Sequence, residues 1–192
     1  TLGAASAALA HRLVVAHISG GKTTEGAIDE SIRHAVTKLS HYHFTHNKIF
    51  RRRLLRMGED PKRVFATGSP LVDEIASLPR LSRSETLKRC GLKDLGRYAV
   101  VLFHPETLAA ASPARQAAEV LRGAERTGLK LVLLYPGAEA GSGALIAELK
   151  SFAGARGFPL LKSLPRADFL NLLRHAEVLV GNSSAGITDA PT

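Results

Sequence analysis

Short unbroken apolar runs alternate along the chain with longer stretches whose apolar residues recur every three or four positions. That pattern predicts buried strands separated by amphipathic helices. After an Ala-rich helical lead-in, Leu13-Val14-Val15-Ala16 predicts a buried strand ended by Gly20-Gly21. Ile32, Val36 and Leu39 then fall at helical spacing behind Asp29, with Glu30, Arg33 and Thr37 on the outward side. His41 to Thr45 alternates weakly as a second strand, Lys48 to Met57 predicts a basic amphipathic helix closed by Gly58, and Val64 to Thr67 a third strand. Gly68-Ser69-Pro70 opens another helix, with proline near its first turn.

The pattern pauses from Pro79 to Ser84, which reads as a linker, and a second series follows. Tyr98 to Phe103, Leu129 to Tyr135, Leu160 to Ser163 and Glu177 to Val180 predict strands; Ser112 to Arg126, Ala144 to Arg156 and Ala167 to His175 predict the helices between them. Alternation of this kind implies parallel sheets built from right-handed βαβ units. The expected fold class is α/β, with two Rossmann-like domains, 1–78 and 79–192. Both domains are expected to be incomplete and the chain a fragment, because the first unit begins abruptly at a strand and the last helix breaks off at Pro191-Thr192.

Composition narrows the function classes. With 192 residues, 45% of them hydrophobic, the chain can bury a real core. No apolar run reaches the roughly 18 residues of a membrane span, and the start lacks the basic head and long apolar centre of a signal peptide. A soluble cytoplasmic protein without a membrane partner is expected. The single cysteine, Cys90, excludes an internal disulfide and any multi-cysteine zinc site. A formal net charge of +9 raises the question of nucleic acid. However, Arg51-Arg52-Arg53 sits on a predicted exposed helix face with no interleaved aromatics, so no nucleic-acid partner is expected. The same positive balance would attract a small anion such as a nucleotide.

Three constellations carry candidate chemistry. Glu25, Asp29 and Glu30 place carboxylates where a glycine turn enters a helix, suited to acid and base work on a sugar ring, although acids there also stabilise the helix dipole. His104 ends the strand Tyr98 to Phe103, where an open α/β sheet presents ligand contacts. Gly181-Asn182-Ser183-Ser184-Ala185-Gly186 lies between a strand and a helix, so that small residues and hydroxyls can approach a diphosphate; the bland alternative is an N-cap. Asp189, about one helical turn beyond Ser184, could reach ribose hydroxyls. PGAEAGSG, ending at Gly143, lacks the Lys-Ser/Thr pair of a P-loop. His41, His43 and His46 have poor spacing for chelation, and no metal is expected.

HISGGKTTEGAIDESIRHAVTKLSHYHF, GEDPKRVFATGSPLVDEI, FHPET and LVGNSSAGITDAP together resemble the hydrolysing UDP-N-acetylglucosamine 2-epimerases, especially the branch serving sialic and related nonulosonic acids. The resemblance implies a GT-B-like pair of Rossmann domains, with UDP held mainly by the second. It implies elimination of UDP across C1 and C2 of the sugar, then hydration to N-acetylmannosamine, without a cofactor and in a homo-oligomer. It further implies that Asp29 and Glu30 are the catalytic acidic pair, Asp29 foremost. His104, Ser183, Ser184 and Asp189 match UDP-contact positions, and Ser163 to Phe169 the region near the uracil.

The family pattern usually carries a carboxylate either directly after His-Ile or directly after Gly-Gly, and this chain has Ser19 and Lys22 at those places. Near neutral pH a hydroxyl and an ammonium do not replace a carboxylate base unless a lysine pKa is strongly depressed. The alternative readings are therefore a GT-B glycosyltransferase and a catalytically impaired UDP-sugar-binding homologue.

Overall fold

The computed structural model describes residues 1–24, 28–105, 111–137 and 142–190. Two compact units divide between Asp73 and Glu74. The division falls inside helix α4 (Pro70–Ser77), a few residues before the pause at Pro79.

The first unit runs α1 (Leu2–Ala10), β1 (Ala16–Ile18), α2 (Asp29–Lys38), β2 (Tyr42–Thr45), α3 (Lys48–Arg56), a 3-10 turn (Pro61–Arg63) and β3 (Val64–Ala66). Its three strands form a parallel sheet in sequence order. The registers pair Ile18 with Phe44, and Phe44 with Phe65. Asn47 starts α3 by accepting the Phe50 N–H at 2.9 Å. Leu54 on this helix is fully inside, and Val36 and Val64 are buried as well. Thr45 is also buried, and its hydroxyl donates to a main-chain carbonyl at 3.1 Å, so the burial leaves no donor unmatched.

The first strand is a correction. Sequence places it at Leu13 to Ala16, whereas β1 occupies Ala16–Ile18, and Leu13 and Val14 are 58% and 70% exposed. The ladder with β2 decides this, since its register begins at the Ala16–Tyr42 pair.

The second unit continues with α5 (Arg83–Arg89), β4 (Tyr98–Val101), α6 (Pro113–Glu125), β5 (Lys130–Leu134), α7 (Ser142–Arg156), β6 (Leu160–Leu161), α8 (Arg166–Arg174), β7 (Val178–Val180) and α9 (Ala185–Thr188). Its four parallel strands lie in the order β6-β5-β4-β7. The chain therefore steps outward from β4 through β5 to β6 and then crosses back to the other side of β4. Ala99, Val101, Leu131 and Leu133 pack on one face against residues of α6 and α7; Tyr98, Val100, Val132 and Leu134 pack on the other with Leu87 and Leu172. Both faces are covered, which is why these strands read as continuous apolar runs.

Polar groups lock this packing. Ser82 and Glu85 close a capping box on α5. The fully buried Asn171 accepts from the Leu81 N–H at 2.9 Å and donates to the Pro79 carbonyl at 3.1 Å, which ties the segment read as a linker onto α8.

The strand β1 is preceded by α1, which packs against α2, and β7 is bonded along β4 and followed by α9. No helix among the described residues is long and apolar enough to cross a membrane.

Tyr98 gives a direct test of the second core. Its ring is fully buried, its hydroxyl donates to the Leu172 carbonyl at 2.7 Å, and burial pushes its pKa up to about 12. Tyr98→Phe should lower the unfolding free energy by about 1–2 kcal/mol through the unpaired carbonyl, seen as a lower urea midpoint at unchanged slope.

Candidate functional site

In the second unit the strand order turns around between β4 and β7, and open α/β sheets bind ligands at such a point, beyond the carboxyl ends. Gly181 follows β7 with φ of 144°, and a Cβ there would lie 1.9 Å from the Leu102 carbonyl oxygen. Only glycine allows that approach. The next residue, Asn182, accepts from the His104 N–H and donates to the His104 carbonyl, both at 2.8 Å. One side-chain amide thus clips the end of β4 to the end of β7.

The other expected contact residues fall around this clip. Ser183 accepts the Ala185 N–H at 3.3 Å, and Ser184 is exposed at the start of α9. At four residues, α9 is too short to contribute much dipole, so the crevice relies on hydroxyls and loop amides. Asp189 is nearly buried, and its carboxylate accepts from Arg166 Nη2 at 2.9 Å, while Arg166 Nε donates to Glu74 at 2.7 Å. The hydrogen bond that Arg166 donates to Asp189 raises the Arg166 pKa, so the guanidinium is a fixed charge. Asp189 therefore sits in an ion-pair network beneath the loop rather than standing alone for a ribose.

Beside the clip, the carboxyl ends of β4, β5 and β6 open into a cavity of about 300 Å³ lined by Leu102, Leu134, Tyr135, Lys162, Leu164 and Phe169. It combines an apolar floor, the two aromatic rings of Tyr135 and Phe169 and one cation, a lining able to receive a flat polar ring. Part of the Ser163 to Phe169 stretch contributes to it.

In the first unit the segment after β1 is pinned from three sides. Arg53 Nη1 donates to the Gly21 carbonyl at 2.6 Å, Arg33 donates to the Lys22 carbonyl and the Thr24 hydroxyl, and Glu30 accepts the Thr24 N–H at 2.7 Å. Gly21 has φ of 80°, and a Cβ would meet the Phe50 carbonyl at 2.6 Å, so α3 passes directly over this turn. The bond from Thr24 holds the Glu30 pKa below the usual carboxylate range. Asp29 is exposed in the first turn of α2. Glu25 lies outside the described residues, as do Glu106 and Thr107 of the FHPET stretch, the middle of the glycine-rich loop after Gly137, and Pro191-Thr192.

The histidines divide among separate partners. His41 Nδ1 accepts the Val15 N–H, His43 Nε2 faces Glu59 at 3.2 Å, and His46 Nε2 meets the Ser19 hydroxyl at 2.6 Å. Among the described residues no group of three or more His, Cys, Asp or Glu side chains is placed to hold a metal ion. His17 Nδ1 lies 3.2 Å from the Thr37 hydroxyl and its ring lies edge-on to that of His43. Burial first, then His43, Arg33 and His34, lowers the His17 pKa to about 4.

Sequence reasoning missed the clip by Asn182 and the partnership of Ser19 with His46. A glycine directly after an apolar strand was a usable signal for Gly181. No local signal pairs residues 78 or 27 positions apart.

The family model described as UDP-N-acetylglucosamine 2-epimerase matches residues 1–192. The UDP-N-acetylglucosamine 2-epimerase of Neisseria meningitidis serogroup B is 39% identical over 189 residues, covering 98% of this chain and 49% of that protein. The UDP-N,N'-diacetylbacillosamine 2-epimerase (hydrolyzing) of Legionella pneumophila is 32% identical over 189 residues, covering 98% of this chain and 50% of that protein. A crystal structure of UDP-GlcNAc 2-epimerase from Neisseria meningitidis bound to UDP-GlcNAc aligns with a TM-score of 0.73 at 16% identity, over 97% of this chain and 52% of that one. The chain spans about half the length of the curated relatives it matches. The resemblance read from four blocks of sequence extends, by the family match, over residues 1–192.

Two outcomes follow from the site geometry. Gly181→Ala should cost about 3 kcal/mol of stability or force the β7 loop off β4, and amide exchange at His104 should accelerate. His17 is neutral when folded, with its pKa depressed from 6.5 to about 4. The stability it contributes is therefore complete above pH 6.5 and is lost as pH falls from 6.5 to 4, where only the unfolded chain takes the proton. Urea midpoints across that window should fall, and His17→Gln should flatten the slope.

Proposed function

We propose, from the premise that this chain belongs to the UDP-N-acetylglucosamine 2-epimerase family, that it acts on a UDP-linked N-acetylhexosamine and releases UDP and N-acetylmannosamine. The observation that carries the reading is the clipped crevice between β4 and β7, with the cavity beside it. In this reading the diphosphate lies over His104, Ser183 and Ser184, and the base enters the cavity near Phe169. Arg166 and Asp189 hold the loop from below. The hydrolysing form is favoured because the Legionella relative carries that activity in its name. Assembly as a homo-oligomer belongs to the same reading and is checked by light scattering.

Elimination requires a base for the C2 proton and assistance to the departing diphosphate. Asp29 is exposed at the ligand edge of the first sheet and is the leading acid or base of α2. Glu30 acts differently. Its carboxylate is held ionised by the Thr24 N–H and fixes the loop that carries Ser19 and Lys22, so its role is positioning.

A second reading is a UDP-sugar-binding homologue with impaired chemistry. It is favoured by Ser19 and Lys22 at positions where family members carry an acid. Incubation of the chain with UDP-N-acetylglucosamine, followed by chromatography for free N-acetylmannosamine, separates the two. Absence of product at high protein concentration with UDP still bound would establish the second reading. In either case Ser184→Ala or His104→Ala should weaken UDP binding about tenfold, roughly 1.4 kcal/mol, by calorimetry. Unchanged affinity would remove the crevice as the UDP site.

A further inference from the structure

We propose that Ser19 and His46 form a proton-accepting couple, in which the Ser19 hydroxyl contacts the sugar and hands a proton to His46 Nε2. This rests on the epimerase reading above and supplies the function that the missing carboxylate leaves open. The two side chains meet at 2.6 Å, at the short end of hydrogen bonding.

Their position is built rather than incidental. Ser19 directly follows β1 and His46 directly follows β2, so both stand at the carboxyl ends of adjacent parallel strands, the edge where such sheets receive ligands. Ser19 has φ of 70°, a left-handed conformation shared among the described non-glycine residues only with Arg12. That conformation costs a non-glycine residue about 1 kcal/mol or more, and a fold keeps it where the surroundings impose it. Here the Ser19 N–H is tied to the Phe44 carbonyl at 2.8 Å, and the following turn is held by Arg53. The strained turn carries the hydroxyl across to β2.

The ring of His46 lies 6.4 Å from that of Phe50 on α3, and Lys22 is the charged group that faces it. Burial, and then Lys22, lowers its pKa below 6.5, so at neutral pH the imidazole is uncharged and can accept a proton. A serine alone is too weak a base, and an imidazole alone stands behind it. Coupled, the hydroxyl gives its proton to Nε2 as it takes the one from carbon.

The step balances as follows. The C2–H electron pair forms the C1–C2 double bond, the C1–O bond breaks with its pair going to UDP, and the C2 proton passes to Ser19 Oγ as the Ser19 proton passes to His46. As the C1–O bond stretches, positive charge at C1 acidifies the C2–H, which brings it within reach of an imidazole. Water then adds its oxygen to C1 and a proton to C2, while His46 releases its proton to solvent.

The test uses the full chain, UDP-N-acetylglucosamine as substrate, and Ser19→Gly, His46→Gln and the double variant. Ser19→Gly relieves the backbone strain, so it should fold at least as stably as the parent. Each single variant should lose at least a hundredfold in kcat with KM and calorimetric UDP affinity within threefold, and the double variant should fall no further. The parent should lose kcat/KM on the acid side with an apparent pKa below 6.5, and His46→Gln should lack that limb. Losses that multiply in the double variant, or His46→Gln turning over within threefold of the parent, would overturn the couple and leave the epimerase reading intact. A parent chain that binds UDP without turnover would overturn that reading and this role together.

Discussion

The contact between Gly181 and the Leu102 carbonyl is the constraint on which the second unit's site depends. Two parallel strands that diverge in sequence must end close together, and their loops must leave without colliding. A residue with no side chain lets β7 turn away at van der Waals distance from β4. Asn182 then satisfies the exposed backbone of His104 with its own amide, so the crevice has a fixed floor before any ligand arrives. Rigidity of this kind lowers the ordering cost of binding.

The first unit solves a related problem with charge. Its loop after β1 has no long hydrophobic anchor, and it is held by guanidinium and carboxylate groups reaching main-chain atoms from α2 and α3. Such charge-assisted bonds are stronger than neutral ones and directional. They keep Ser19 in a conformation that an unrestrained serine avoids. The carboxylate of Glu30 and the guanidiniums of Arg33 and Arg53 thereby hold the geometry of this loop.

Both units place their polar residues at the carboxyl edges of parallel sheets, where strand carbonyls end and loop amides begin. The buried histidines of the first unit belong to the same economy of space. His17 and His43 remain neutral because burial removes the water that would stabilise a cation. The fold around the loop is accordingly sensitive to acid, while the second unit relies on ion pairs such as Arg166 with Asp189.

Much of the architecture was legible because it is local. Apolar runs such as Tyr98 to Val101 declare strands buried on both faces, helical periodicity declares the covers, and proline, serine and glycine mark the breaks. The family resemblance likewise resided in contiguous blocks. The start of β1 was misplaced because an apolar run has no register of its own until β2 supplies a ladder. Sequence spacing set Asp189 one helical turn beyond Ser184 and could not show that Arg166, from another helix, donates to its carboxylate. Sequence by itself determined the strand-helix alternation, the glycine turns and the residues available to the site. Which of them meet was decided by tertiary structure, because His104 with Asn182 and Ser19 with His46 are brought together only by the pairing of parallel strands, a long-range event that leaves no periodic trace in the chain.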